Sequence, residues 1–277
     1  MLRLASACAV ALTLAVSAPV QAKDAQLEAA VAGAQRAPEN KARDAARHPV
    51  ETLSFWGLKP KQTVIELSPG GGYWTEILAP YAKATGGAYV ATASDLENPK
   101  LSEGARKGRA AFEAKYADPA KYGPIRYVNF GPVSGPLGAP GSADMVITAR
   151  NIHNWMMNGS LDKVLKDAHA VLKPGGVLAV EEHRSDPKPE LPGVSNGYVS
   201  TATVIAAAEK AGFKLAAKSE VNANPMDTKD HPFGVWTLPP SRWTTPNGQG
   251  SDPNFDRKKY DAIGESDRMT LRFVKAG

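Results

Sequence analysis

The sequence predicts an α/β domain with a mostly parallel, seven-stranded sheet that carries helices on both faces. From Thr63 onward, short apolar runs that suit buried strands alternate with helical segments, and this alternation is typical of parallel sheets. A glycine turn at 70–72 joins the first strand to the first helix of this region. A second turn, at 173–176, ends a later amphipathic helix.

Each element follows from its local pattern. The strand segments are short, apolar and bounded by turn residues; they are 63–67, 88–92, 125–129, 144–149, 177–181, 213–221 and 269–275. The helical segments between them have apolar residues at helical spacing or a high content of helix formers; they are 74–81, 101–116, 161–172 and 201–211. In the last strand, Met269, Leu271 and Phe273 alternate with polar residues, which predicts two different faces.

The ends of the chain differ from this central region. Residues 1–22 have a positive start, an apolar run and small residues before position 23, as secretory signal peptides do. The apolar run is shorter than the roughly 20 residues that span a membrane. We therefore expect cleavage after Ala22, export to the bacterial periplasm and no stable membrane anchor. Residues 23–58 are predicted to form a helical N-terminal extension, and 59–277 the main domain, with a Pro- and Gly-rich loop excursion at 222–267.

Composition excludes several classes of function. Cys8 is the only cysteine and lies in the predicted signal peptide, so the mature chain has no disulfide, thiol nucleophile or thiolate metal ligand. A net charge of +5 with scattered basic residues argues against nucleic-acid binding. The five histidines lack metal-ligand spacing, so we expect no catalytic metal. No G-x-S-x-G sequence occurs, which disfavours a hydrolase of that kind.

The segment from Glu66 to Gly72 is the most informative about chemistry. A carboxylate at the end of a strand, followed by a glycine turn and a helix, places an anion, bare backbone and helix-terminal N–H groups together. A dinucleotide fingerprint requires G-x-G-x-x-G, but its third glycine position, counted from Gly70, is Thr75. S-adenosylmethionine instead needs backbone amides that bind its amino-acid end and a carboxylate that accepts from its ammonium group. The segment therefore favours S-adenosylmethionine and leaves a nicotinamide cofactor as a weaker alternative.

Together with two later segments, this turn resembles the class I S-adenosylmethionine-dependent methyltransferase family, in particular its secreted bacterial members. Glu66 to Gly72 stands where the D/E-x-G-x-G-x-G motif of the family lies. Residues 144–151 correspond to its fourth strand and following loop, and 172–176 to its L-K-P-G-G turn. The resemblance runs from about residue 63 to 275. It implies a Rossmann-like sheet with an antiparallel last strand, S-adenosylmethionine as cofactor, and methyl transfer to a small or medium acceptor.

The resemblance also implies which positions bind the cofactor. They are Glu66, Ser68, Gly70, Gly71, Gly72, Asp95 and Asn151. Two positions depart from the motif. Ser68 replaces its first glycine, and the second strand lacks the usual acidic residue at its end, since 91–94 intervene before Asp95. Asp95 is then either a ligand of the ribose or the N-cap of a helix.

Polar side chains follow the fourth and fifth strands at the same predicted edge, where ligands bind in open α/β sheets. His153 follows the fourth strand, and Glu181 and His183 end the fifth. These three are our catalytic candidates for proton transfer, although an ion pair or a loop anchor explains them equally well. The polar segment 227–233 is either a lid over a substrate or a packed loop.

A second class of function stays open from the sequence. S-adenosylmethionine is made in the cytosol, and no feature of the chain explains its supply outside. An exported ligand-binding or scaffold protein that keeps the fold without catalysis is therefore the alternative to an enzyme. The glycine turn favours retained ligand binding, whereas the missing acid on the second strand favours its loss.

Overall fold

The seven predicted strands form one sheet in a computed structural model that describes residues 24–185 and 196–276. In chain order they are β1 (Thr63–Leu67), β2 (Ala88–Ser94), β3 (Ile125–Phe130), β4 (Ala143–Ala149), β5 (Leu172–His183), β6 (Phe213–Ser219) and β7 (Arg268–Lys275). They are arranged β3-β2-β1-β4-β5-β7-β6. β7 is antiparallel to both of its neighbours, and the other adjacent pairs are parallel. The predicted fold class, including the antiparallel last strand, is confirmed.

The central strands β1 and β4 are mostly apolar because both faces of the sheet are covered. Ile65 and Val146 belong to the hydrophobic cluster on one face. Val64 and Met145, each one position earlier, belong to the cluster on the other face. This period of two follows from the alternation of side chains along a strand, and it fixes the register of β1 against β4.

Eleven α-helices lie among the described residues. They are α1 (Ala25–Ala32), α2 (Pro38–Lys41), α3 (Asp44–Arg47), α4 (Pro49–Trp56), α5 (Thr75–Thr85), α6 (Glu103–Lys115), α7 (Pro119–Tyr122), α8 (Ile152–Met157), α9 (Leu161–Val171), α10 (Thr201–Lys210) and α11 (Lys258–Ile263). None of them is long and apolar enough to cross a membrane. The helix predicted at 74–81 continues to Thr85, where Gly86 ends it in the left-handed conformation.

The N-terminal extension packs against the domain. Leu27 of α1 and Trp56 of α4 are fully buried in the same cluster as Ile77 of α5, and the Tyr81 hydroxyl donates to Asp24 at 2.5 Å. The extension predicted to be helical contains four separate helices, α1 to α4. The predicted signal peptide, 1–22, lies outside the described residues.

The excursion at 222–267 differs from the surface loop that its composition predicts. It contains 3-10 turns at Gly234–Thr237 and Pro246–Gly248 as well as α11, and several of its polar residues are buried. Asp227 accepts hydrogen bonds from the Tyr198 hydroxyl at 2.9 Å, His231 Nε2 at 2.8 Å and the Asp267 amide at 2.8 Å. A buried carboxylate with these donors anchors the excursion, so 227–233 is a packed segment in this structure.

Glu265 connects the N-terminal extension to the C-terminal part of the chain. Its carboxylate accepts hydrogen bonds from Arg43 Nε at 2.7 Å, Arg47 Nε at 2.9 Å and Arg268 Nη1 at 2.5 Å. Arg150 Nη1 lies 3.9 Å away. Burial alone would raise the pKa of Glu265, but the surrounding guanidinium groups hold it below its usual value. The carboxylate is therefore ionised at neutral pH.

Replacing this carboxylate should destabilise the fold strongly. Glu265→Gln leaves buried arginines without their shared anion, and we expect the free energy of unfolding to fall by about 3–5 kcal/mol. Urea denaturation measures the loss. The control is Glu220→Gln, which removes an exposed carboxylate paired with Arg184 and should cost less than about 1 kcal/mol. Equal losses in the two variants would contradict a special role for Glu265.

Candidate functional site

Two cavities flank the glycine turn at the carboxyl edge of the sheet. The inner cavity, about 260 Å³ in volume, lies between this turn, residues 40–47 of the extension, the loop after β4 and residues 235–241 of the excursion. The outer cavity, about 310 Å³, lies between the turn, the end of β2, α6 and Phe130. Ser68, Pro69, Gly70 and Asn151 line both. The carboxyl ends of β1, β2 and β4 thus form the continuous site expected of such a sheet.

The turn has a backbone that favours glycine at two positions. Gly70 and Gly72 have φ angles of +57° and +87°. A Cβ at Gly72 would lie 1.8 Å from the Tyr116 hydroxyl, whereas a Cβ at Gly70 would meet no protein atom within 4 Å. Gly72 therefore allows α6 to approach closely, and Gly70 leaves open space beside the main chain.

Ser68, which replaces the first glycine of the motif, adopts the conformation that glycine would supply. Its φ is +49°, which costs an L-residue roughly 1–2 kcal/mol. The Ser68 amide donates to Thr92 Oγ1 at 2.8 Å, so the hydroxyl at the end of β2 holds the turn. The departure from the motif therefore preserves the path of the backbone.

Glu66 presents a buried carboxyl group to the inner cavity. Its Oε2 accepts hydrogen bonds from Thr75 Oγ1 at 3.1 Å and from the Tyr89 hydroxyl. Burial raises the pKa of Glu66 to about 7, and the two hydrogen bonds oppose this rise. A cation in the inner cavity would favour the ionised form, so Glu66 suits an ammonium ligand.

The other predicted cofactor residues differ in position. Asn151 Nδ2 donates to the carbonyls of Ala149 at 3.0 Å and Leu67 at 3.3 Å, so it joins the ends of β4 and β1 beside both cavities. Asp95 is buried, and its Oδ1 accepts from the Glu97 amide at 3.0 Å. Asp95 lies among the lining residues of neither cavity; it caps a turn, while Ser102 caps α6.

The catalytic candidates His153 and His183 meet at the inner cavity, with ring centroids 5.2 Å apart. The carboxylate beside them is Glu182, which sequence reasoning missed. Its Oε1 lies 2.9 Å from His153 Nδ1, and its Oε2 accepts from the His153 amide at 3.2 Å. Burial and neighbouring positive charge hold the pKa of His183 well below its usual value. The His183 imidazole is therefore neutral at neutral pH.

Glu181, the third candidate, points to the other face of β5, because successive strand residues alternate. Its Oε1 lies 3.0 Å from Arg268 Nε, and it is not a lining residue of the inner cavity. The structure thus places Glu181 among the arginines rather than beside His153. The carboxylate beside His153 is therefore that of Glu182, one residue after the predicted Glu181.

His153, Glu182 and His183 offer one ligand atom each within 4.8 Å of one another, a combination compatible with a metal ion. The histidine spacing in the sequence gave no sign of this group, because His153 follows β4 whereas Glu182 and His183 end β5. Burial is the main cause of the lowered pKa of His183, and the positive charges of Arg150 and Arg268 add to it. The same positive charge opposes a second cation next to His183.

Another wall of the inner cavity is formed by arginines, some of which surround Tyr73. Arg43, Arg47 and Arg150 line it. Arg47 Cζ lies 4.4 Å from the centre of the Tyr73 ring, close enough for a cation–π contact, and the Tyr73 hydroxyl donates to Asp44 at 2.7 Å. Sequence reasoning missed this wall, although the spacing of Arg43 and Arg47 by four residues was a local signal.

Trp236 of the excursion covers the histidine side of the inner cavity. Its ring lies 5.8 Å from that of His153 and stacks on Trp243 at 5.2 Å. Both tryptophans belong to the segment that composition assigned to a loop. The excursion thus supplies an apolar wall next to the candidate base.

Comparison with known proteins identifies the fold. No protein-family model and no curated protein sequence matches the chain. A proposed sarcosine dimethylglycine methyltransferase from Galdieria sulphuraria aligns with a TM-score of 0.55 and 12% identity, over 86% of this chain and 88% of that chain. A SAM-dependent methyltransferase from Aquifex aeolicus gives 0.48 and 21%, over 65% and 87%. An arsenic (III) S-adenosylmethionine methyltransferase from Chlamydomonas reinhardtii gives 0.49 and 16%, over 91% and 73%. The first alignment shows that the chain shares the fold of the Galdieria sulphuraria protein.

The raised pKa of Glu66 predicts a pH-dependent stability. The carboxyl titrates near 4.5 when unfolded and near 7 when folded, so the folded state binds more protons between these values. The free energy of unfolding must then fall as pH rises through this window. Glu66→Gln lacks this contribution. Between pH 4.5 and 8, the free energy of unfolding of this variant should therefore rise relative to that of the wild type by up to about 3 kcal/mol. Urea denaturation across this range measures the difference, and a constant difference would contradict the assigned pKa.

Proposed function

We propose that this chain, with its class I methyltransferase fold, is an exported enzyme that transfers a methyl group from S-adenosylmethionine to a small acceptor. The observation that carries the proposal is the pair of cavities that meet at Ser68–Gly70 and Asn151. A donor with a nucleoside at one end and an amino acid at the other requires two such compartments on either side of a backbone turn.

The residues present fit this donor. The open space beside Gly70 admits a ligand close to the main chain, and Glu66 provides an acceptor for an ammonium group in the inner cavity. The outer cavity is lined by Phe112 and Phe130, which suit an adenine ring. Thr92 and Ser94 line it at the end of β2, and their hydroxyls would bind the ribose where the family uses an acid.

S-adenosylmethionine supplies an activated methyl group when bound, so the protein has to align the acceptor and receive its proton. His153 is placed for the second task, since Glu182 orients its ring through Nδ1 and the imidazole faces the inner cavity. His183 lies beside it as a neutral neighbour. Trp236 excludes water from the same side.

Export is proposed from the first 22 residues of the sequence alone. A protein recovered from the periplasm should begin at Lys23, which amino-terminal sequencing determines. An intact Met1 on cytosolic protein would contradict export, and it would leave the methyltransferase proposal unaffected.

The cofactor site is tested by calorimetric titration of the 23–277 chain with S-adenosylmethionine and S-adenosylhomocysteine. We expect dissociation constants in the micromolar range, which correspond to binding free energies of about −8 kcal/mol. Gly70→Asp fills the open space beside the turn with a charged side chain at a positive φ, and it should abolish binding of both compounds.

The matched control is His153→Ala on the far side of the inner cavity. It should bind S-adenosylhomocysteine like the wild type, while methylation of an acceptor by labelled donor falls by roughly 10²–10⁴-fold. A folded wild-type protein that binds neither compound would eliminate the enzyme and favour the alternative, an exported scaffold or ligand-binding protein with the same fold.

A further inference from the structure

We propose that the methyl acceptor carries an acidic group, a carboxylate or a phosphate, which binds to the arginine wall of the inner cavity, formed by Arg43, Arg47 and Arg150. This inference rests on the proposed function in one respect, namely that the bound anion belongs to a methyl acceptor. The anion site itself rests on the charges and hydrogen-bond donors of the wall.

The wall carries more positive than negative charge. Arg43, Arg47, Arg150 and Arg268 surround the carboxylates of Glu181 and Glu265. Arg36 does not alter this balance, because it forms its own pair with Asp44 through two hydrogen bonds of 2.6 and 2.7 Å. The three arginines of the wall and Arg268, which contacts both carboxylates, carry four positive charges against two negative ones. This network therefore has two positive charges in excess. Charges buried without a counter-ion are costly, so the wall is suited to an anion.

The hydrogen-bond donors of the wall are incompletely used. Arg47 is only 1% exposed, yet its Nη2 has no hydrogen-bond partner among the described residues. Arg43 Nη2 and Arg150 Nε are also buried atoms with no hydrogen-bond partner in the described part of the chain. Among residues 24–185 and 196–276, the carboxylate oxygen nearest to Arg150 belongs to Glu265, at 3.9 Å. Guanidinium groups prefer bidentate contacts with carboxylate or phosphate oxygens, and an anionic ligand would supply them.

The methyl donor cannot neutralise this wall as a whole. Its amino-acid end carries one carboxylate and one ammonium, and its sulfonium adds a further positive charge. Binding of the donor adds one net positive charge, which the ionised Glu66 would offset. Glu182 contacts His153 rather than the arginines, so the two excess charges of the arginine network remain. An anionic group on the second substrate would balance these charges and hold the acceptor in the cavity that His153 also lines.

Calorimetric titration with inorganic phosphate and with malonate tests this site, using the 23–277 chain saturated with S-adenosylhomocysteine at low ionic strength. We expect at least one of the two anions to bind. Arg43→Gln and Arg150→Gln should each weaken that binding by roughly tenfold or more, because a charge-assisted hydrogen bond is lost. Arg43→Lys should recover part of it. The control, Arg242→Gln, changes an exposed arginine of the excursion and should bind as the wild type does.

The outcomes separate the two proposals. Absence of binding of both anions to a chain that binds S-adenosylhomocysteine would overturn the anion site and leave the methyltransferase intact. Anion binding that S-adenosylhomocysteine abolishes would also overturn it, since the arginines would then hold the donor's own carboxylate. Anion binding to a chain that fails to bind S-adenosylhomocysteine would support an anion site on a protein that is not a methyltransferase. Unfolding midpoints near the wild-type value establish that the glutamine variants are folded.

Discussion

The carboxylate of Glu265 draws together arginines from three distant parts of the chain. Arg43 and Arg47 come from the N-terminal extension, Arg268 from β7, and Arg150 from the loop after β4. One carboxylate cannot neutralise four cations, so this contact orders them while leaving positive charge beside the cavity. The interaction that closes the extension and the excursion over the sheet edge therefore also gives the site its charge. Folding and ligand preference depend on the same buried network.

The glycine turn divides the edge that this network closes. Ser68 and Gly70 separate the two cavities, and the hydrogen bonds of Thr92 and Asn151 hold the turn against β2, β1 and β4. Because Glu66 is buried behind the turn, its pKa lies near 7, and a cation in the inner cavity would ionise it. The inner cavity is thus lined both by the arginine wall and by a carboxyl group that a bound cation would ionise.

Local sequence was sufficient for the strands and for the glycine turn, because apolar runs and turn residues are local signals. It also placed His153 and His183 at the correct edge, since parallel strands share that edge. The choice between Glu181 and Glu182 failed because it depends on which face of β5 turns toward His153, and tertiary packing decides this. The spacing of Arg43 and Arg47 by four residues is a local signal for the arginine wall, but the wall also depends on the contact of Arg43 with Glu265. These two residues are more than 200 positions apart, and no local pattern encodes that contact.

The charges of the site also bear on the direction of the proposed reaction. A sulfonium donor and an acidic acceptor attract one another inside the cavity, where the effective dielectric constant is below that of water. In the proposed reaction the donor would give up its positive charge with the methyl group, and His153 would receive the proton of the acceptor. Glu182 is placed to stabilise a proton on His153 through its contact with Nδ1. The contact between donor and acceptor weakens while the contact between His153 and Glu182 strengthens, so the same arrangement that assembles the substrates favours separation of the products.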